Sequence, residues 1–385
     1  MQEVPPLTSG ASSPETEIPQ ELTDMVLDLL SHDLKSLRSC SLVARQWRPR
    51  SQYHLHRSLK VCRQTDIKLL ASIYQDELLA SYVRTLDIER MWSPFWDSTH
   101  SLLQILGEVR SLSLVSVGDI NQEMRQFMAA RFTHLRYLSL SFVTFDTFAA
   151  LTSFLNAFPA LTHLSVKNVY WSRKEGLLPD ADSLHRLRDV SIGFCTDQHL
   201  LLRWLAGAAD KPRLESLAVT WYEKSDAIRE FMHCLGPHLQ RLTFSYVFSD
   251  EFSRDWREHP LDLSSNTGLR ELEFGANVML PYVWGSLPTI PEMVASSGSA
   301  CLQRLSIHLT NLDEEPVPSA SLSTIDDILS RPQFRSVEHL NLYTDIKAGH
   351  GSGWEQCMER IVGSVHRAVP KTLQRGILHI GPSEK

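Results

Sequence analysis

From residue 83 onward the apolar residues fall into one recurring phrase, apolar-x-x-apolar-x-apolar. It reads VRTLDI from Val83, VRSLSL from Val109, LRYLSL from Leu135, LTHLSV from Leu161, LRDVSI from Leu187 and LESLAV from Leu214. LQRLTF from Leu239, LRELEF from Leu269, LQRLSI from Leu302 and VEHLNL from Val337 continue it. Successive starts lie 26, 26, 26, 26, 27, 25, 30, 33 and 35 residues apart, so the repeat is tight at first and then takes insertions. Within each phrase the fourth and sixth residues alternate with polar ones, the period of a short strand with one buried face. Helical stripes follow, such as Ile120, Met124, Phe127 and Met128, or Leu151, Phe154, Leu155 and Phe158, or Leu201, Trp204, Leu205 and Ala208. Good capping residues recur ten or eleven positions after eight of the ten phrases begin, at Ser93, Asp119, Asp146, Ser172, Asp197, Ser225, Asp250 and Asp313, and only the copies from Leu269 and Val337 break the column. The spacing therefore predicts a strand-turn-helix unit in tandem.

Such a unit cannot cover its own apolar face, but stacking sets the strands side by side in a parallel sheet with the helices outside. The period and the L-x-x-L-x-L phrase resemble the leucine-rich repeat. One departure is plain: the Asn or Cys usual three residues past the phrase is present only as Cys195 and Asn277. Val117, Val143, Val169 and Val247 stand there in other copies. The expected fold is an α/β leucine-rich-repeat-like solenoid over 83–380, with degenerate turns.

Ahead of it, helical spacing predicts three short helices between Ile18 and Trp47, carried by Leu22, Val26, Leu29 and Leu30, then Leu34 and Leu37, then Val43 and Trp47. Pro19 suits a first helical turn, Asp33 a cap, and Pro49 discourages continuation of the third helix. A bundle this small encloses little, which leaves some of these side chains for a neighbour. Residues 1–17, rich in Pro, Ser, Thr and Glu, read as a flexible tail, and 61–82 as a linker or first capping element.

The segment IPQELTDMVLDLLSHDLKSLRSCSLVARQW resembles the F-box, with Ile18 for its usual Leu, and 18–60 is assigned to it. Cys40 to Val43 and Tyr53 to Leu55 are similar to F-box proteins of mushroom-forming fungi. The resemblance implies a three-helix F-box that docks on the S-phase kinase-associated adaptor of a cullin-RING ubiquitin ligase of SCF type, while the solenoid holds a protein target. Pro19, Leu22, Val26, Leu30, Leu34, Val43 and Trp47 would then divide between the bundle core and the adaptor interface. An interaction scaffold working outside any ligase is the alternative.

Composition narrows the partners. Thirty-eight Lys and Arg against 45 Asp and Glu give a net charge of −7, the wrong sign for coating nucleic acid or an anionic membrane. Residues 18–60 are locally basic, with seven Lys and Arg against four acids. No apolar run is long enough to span a bilayer and the first residues lack signal-peptide character, so a cytoplasmic or nuclear protein is expected. The six cysteines form no CxxC pair, which argues against metal knuckles and a disulfide framework.

No catalytic motif is present. His54-x-His56 is a lone pair, and Gly349, Gly351 and Gly353 imitate a dinucleotide loop with the wrong spacing. A protein without cofactor, metal or enzymatic activity is expected. For a target surface the residue two places past the phrase stands out: Phe142, Asn168, Phe194, Trp221, Tyr246 and Ala276. Phe142, Phe194, Trp221 and Tyr246 form either an exposed aromatic binding row or a set of rings turned inward to fill the missing Asn ladder. Pro- and Ser-rich insertions at 281–299 and 313–321 are a second candidate surface.

Overall fold

The computed structural model describes residues 18–90, 93–173, 184–207, 213–221, 226–246, 261–275, 290–297, 300–309, 317, 319–344 and 354–382. Several expectations fall outside these: the tail at 1–17, Ala208, Ser225, Asp250, Asp313, Val247, Ala276, Asn277, the three glycines of 349–353, and most of both insertions.

One parallel sheet of twelve strands, ordered β1 to β12 as in the chain, organises the described residues. The ten phrases supply ten neighbouring strands: β2 (Thr85–Glu89), β3 (Ser111–Asp119), β4 (Tyr137–Thr147), β5 (His163–Arg173) and β6 (Asp189–Gly193), then β7 (Ser216–Trp221), β8 (Arg241–Tyr246), β9 (Glu271–Gly275), β10 (Arg304–Leu309) and β11 (His339–Thr344). Their register keeps equivalent phrase positions opposite one another, as in Thr85↔Ser111, Ser111↔Tyr137 and Tyr137↔His163. Positions one, four and six are buried throughout, for example Leu135, Leu138 and Leu140, and join a single apolar core with the helical stripes. Helices α6 (Ser93–Ile105), α7 (Gln122–Arg131), α8 (Phe148–Asn156), α9 (Gln198–Ala206), α10 (Asp226–Leu235), α11 (Ile290–Ser296), α12 (Ser319–Leu329) and α13 (Trp354–Ala368) return the chain between strands. This is the architecture of a leucine-rich-repeat-like solenoid.

Helix starts differ from the expectation. Asp119, Asp146 and Ser172 lie inside β3, β4 and β5, and the caps are Asn121, bonded by the Met124 N–H at 2.9 Å, and Thr147, bonded by the Ala150 N–H at 3.0 Å. The cause is a backbone device at the eighth phrase position. Arg90, Ser116, Phe142, Asn168 and Phe194 all take φ between 52° and 54°, in the left-handed region. That residue reverses the alternation, so the strand runs on with its buried phase shifted by one: in β4, Leu138 and Leu140 are buried, then Val143 and Phe145. The valines standing where Asn is usual thereby become a buried ladder: Val117, Val143 and Val169, with Cys195 donating its thiol to the Val166 carbonyl at 3.3 Å.

The front end contains α1 (Gln20–Leu29), α2 (Leu34–Val43), a 3-10 turn at Arg45–Trp47 and α3 (Arg48–His56). Asp33 caps α2 as expected, accepting from the Ser36 N–H at 3.0 Å. Pro49 does not end a helix; it sits in the first turn of α3, where its missing N–H costs nothing. The sheet then begins earlier than the phrases announce. β1 (Ser58–Cys62) pairs with β2, and α4 (Ile67–Tyr74) and α5 (Glu77–Tyr82) complete a first unit. Edge-to-face contacts of Tyr53 with Tyr82 and of His56 with Tyr74 join α3 to that unit. At the far end α14 (Pro370–Gln374) and β12 (Leu378–Pro382) close the stack.

Candidate functional site

Two surfaces follow from this framework. The first is the outer face of the bundle. On α1 the buried residues are Thr23 and Leu27, while Leu22, Met25, Val26 and Leu29 are between 52% and 85% exposed. Their i, i+3, i+4, i+7 spacing makes one apolar stripe pointing away from the bundle core. Leu34, Leu42 and Val43 of α2 are also exposed, whereas Leu37 is fully buried. Of the residues singled out from the sequence, Pro19, Leu22, Val26, Leu34 and Val43 are exposed and Leu30 and Trp47 half-buried. Met25, Leu29 and Leu42 stand outside the set expected to face an adaptor, although continuing the Leu22–Val26 spacing by three residues reaches Leu29.

The bundle is held from beneath. Arg50 donates to both Asp28 oxygens at 2.6 and 2.7 Å, and His54 Nε2 lies 2.7 Å from the same carboxylate. The Arg50 guanidinium, more than the His54 ring, holds the Asp28 pKa down at about 2. His56 bonds the Tyr74 hydroxyl instead, so the two histidines of the His-x-His pair serve different packing partners.

The second surface is the strand face opposite the helices. A groove of about 360 Å³ runs across β3 to β7, lined by third-position Ser111, Tyr137, His163 and Asp189 and by a fifth-position row of Ser113, Ser139, Ser165 and Ser191. Tyr137 stacks on His163 with ring centres 4.0 Å apart. His163 Nε2 is 2.9 Å from Asp189, and Arg241 donates to the other Asp189 oxygen at 3.1 Å, reaching past β7. Thr162 Oγ1 lies 2.8 Å from His163 Nδ1, a Thr-His-Asp chain that imitates a nucleophilic relay. The N–H groups of Thr162, His163, Arg188 and Asp189 all bond to carbonyls of the preceding strand, so none is left to steady an oxyanion.

The aromatic row needs correction. Trp221 is fully buried and belongs to the core, because β7 keeps plain alternation and its eighth position points inward with Leu217 and Val219. Phe142, thrown outward by its left-handed backbone, is 54% exposed, and Phe194 is half-buried. Tyr246 is placed by its backbone alone, paired with Trp221. The row is thus not one surface. The groove residues were missed, although reading the third residue of every phrase would have found them.

Among the described residues no helix is long and apolar enough to cross a membrane, and no group of three or more His, Cys, Asp or Glu could hold a metal ion. No family profile matches the chain, and no curated protein does. Among solved structures it is similar to the mouse RP105/MD-1 complex, at 14% identity over 70% of this chain and 39% of that one, with a TM-score of 0.35. The TLR13–ssRNA13 complex follows at 15% identity over 80% and 47%, TM-score 0.35. The yeast Rad7–Elc1 complex is similar at 14% identity over 87% and 91%, TM-score 0.34. The chain spans under half the length of the first two.

Proposed function

We propose that this chain is the substrate-recognition subunit of an SCF-type cullin-RING ubiquitin ligase, its F-box-like bundle docking the S-phase kinase-associated adaptor and its solenoid holding a protein target. The observation that carries the reading is the outward apolar stripe of α1, Leu22, Met25, Val26 and Leu29, on a bundle whose own core uses the opposite face. A contiguous exposed apolar patch of this kind marks a contact with another protein. The F-box resemblance names the adaptor as that protein, and the basic balance of residues 18–60 suits an acidic one. Mechanism is then positional: a target held on the repeat face gains effective concentration beside the conjugating enzyme, with no bond chemistry in this chain.

Affinity capture tests it. Because Val26 and Leu29 lie outside the bundle core, Val26→Asp with Leu29→Asp should leave the circular dichroism unchanged and lower recovery of adaptor and cullin at least tenfold. Equal recovery from the double variant, or none from the natural chain, would leave the scaffold reading in its place.

A further inference from the structure

The second residue of each phrase forms a column at the strand starts. Its members are joined through the backbone: Arg110 N–H bonds Arg84 O at 2.8 Å, Arg136 N–H bonds Arg110 O at 2.8 Å, and Thr162 N–H bonds Arg136 O at 2.9 Å. Arg188 follows Thr162 at 2.8 Å. Three successive strands therefore begin with arginine, and a fourth arginine stands two strands on. Each immediately precedes a third-position residue, and Ser111, Tyr137 and Asp189 among these line the groove.

Charge along this rim is not balanced. Arg84 pairs with Glu108 at 3.0 Å, Arg188 with Glu215 at 3.1 Å and Arg241 with Asp189 at 3.1 Å. Arg110 and Arg136 are exposed and have no ion pair among the described residues, and the same holds for Arg186 and Arg213 just ahead of β6 and β7. From β2 to β8 the rim thus carries a surplus of unpaired guanidinium in a chain whose net charge is −7. On β9 and β10 charges inside the strands pair with one another, Arg304 with Glu271 and His308 with Glu273, both at 2.9 Å, while Arg270, the second-position residue of β9, is exposed with no ion pair among the described residues.

We propose that this arginine rim and the groove beside it bind an extended acidic segment of a polypeptide, which deepens the target half of the function proposed above and rests on that reading. Neighbouring strands lie about 4.8 Å apart and side chains on one face of an extended peptide recur every ~6.8 Å, so Arg110, Arg136 and Arg186 can meet successive carboxylates. The serine hydroxyls of the groove offer donors and acceptors to a peptide main chain, and the Tyr137–His163 stack offers an aromatic face. A nucleic-acid strand fits less well. Its phosphates recur without interruption and would fall opposite Glu108, Asp189 and Glu215, whereas a peptide can set uncharged residues there and carboxylates opposite the arginines.

The test uses the full chain and a fluorescein-labelled twelve-residue peptide of alternating Glu and Gly. Fluorescence anisotropy should show saturable binding that weakens with salt. Arg110→Glu with Arg136→Glu should weaken it at least tenfold, and Arg110→Gln with Arg136→Gln by less, the neutral pair covering the case in which charge reversal disturbs folding. Arg331→Glu with Arg335→Glu, the same charge change on exposed residues elsewhere, should leave it unchanged. Equal losses from the two Glu pairs would overturn the proposal as bulk charge. Tighter binding of a twelve-nucleotide oligothymidylate, lost in the Arg110/Arg136 pair, would overturn it in favour of a nucleic-acid surface. Adaptor recovery should persist in the Arg110/Arg136 variants, and peptide affinity in Val26→Asp/Leu29→Asp, so either half can fail alone.

Discussion

Asp28 is one carboxylate doing the work of a bundle core. It accepts two hydrogen bonds from Arg50 and lies within bonding distance of His54, whose side chain is 5% exposed, which ties α1 to α3 with charge where a larger domain would use hydrocarbon. Its pKa falls from 3.8 to about 2, so the linked stability is complete above pH 4 and is lost as pH drops through 2. The full linkage value would be about 2.4 kcal/mol, but the Asp28 side chain is 43% exposed and screened, so about 1 kcal/mol is expected. Asp28→Asn should therefore lower amide-exchange protection across residues 20–56 by roughly that amount at pH 7. The difference from the natural chain should shrink as pH falls toward 2 and disappear below it, after correction for intrinsic exchange rates. A constant difference across that range would show that Asp28 acts by shape alone.

At the scale of the element, one phrase position holds opposite roles. Ser116 and Phe142 occupy it with positive φ, Trp221 with strand geometry and complete burial. A non-glycine residue in the left-handed region costs about 1–2 kcal/mol, so Ser116→Gly should raise the urea midpoint by the equivalent of about 1 kcal/mol. Trp221→Ala in the same column should lower stability by about 3–5 kcal/mol through the cavity it leaves. The same sign for both would mean that the left-handed turn is not the source of the reversal. This position also explains what the sequence could and could not reveal. The ten strands were legible because positions four and six are set by burial, which recurs identically. The helix starts and the aromatic row were not, because both depend on whether the alternation reverses at position eight, a backbone choice made by residues as unlike as Arg90, Asn168 and Phe194. The end strands escaped for another reason. Their phrases, HRSLKV and RGILHI, carry His56 and Arg375 where an apolar residue is usual. An end unit has a neighbour on one side only, so a polar group there can serve as a cap.

Across the whole molecule those two ends carry different tasks. The front end merges with the bundle through α3 and α5, so whatever grips α1 is joined to the repeat face by packed structure. The far end is closed by Asp326, buried to 2%, which accepts from the N–H groups of Lys371 and Thr372 at 3.0 and 2.7 Å and from the Thr372 hydroxyl. Arg375 adds bonds to the carbonyls of Leu329 and Val337 at 2.7 and 2.9 Å, fastening α14 and β12 onto α12 and β11. In a stack where each unit touches only its neighbours, losing this closure is a local event. Asp326→Ala leaves the buried Thr372 N–H and the part-buried Lys371 N–H without their acceptor, a cost of about 3 kcal/mol confined to the last unit. Limited proteolysis should then cut first between residues 330 and 380, while adaptor recovery and acidic-peptide affinity persist. Simultaneous loss of protection from β1 to β12 would show instead that the solenoid unfolds as one cooperative body, and that its two ends are energetically coupled.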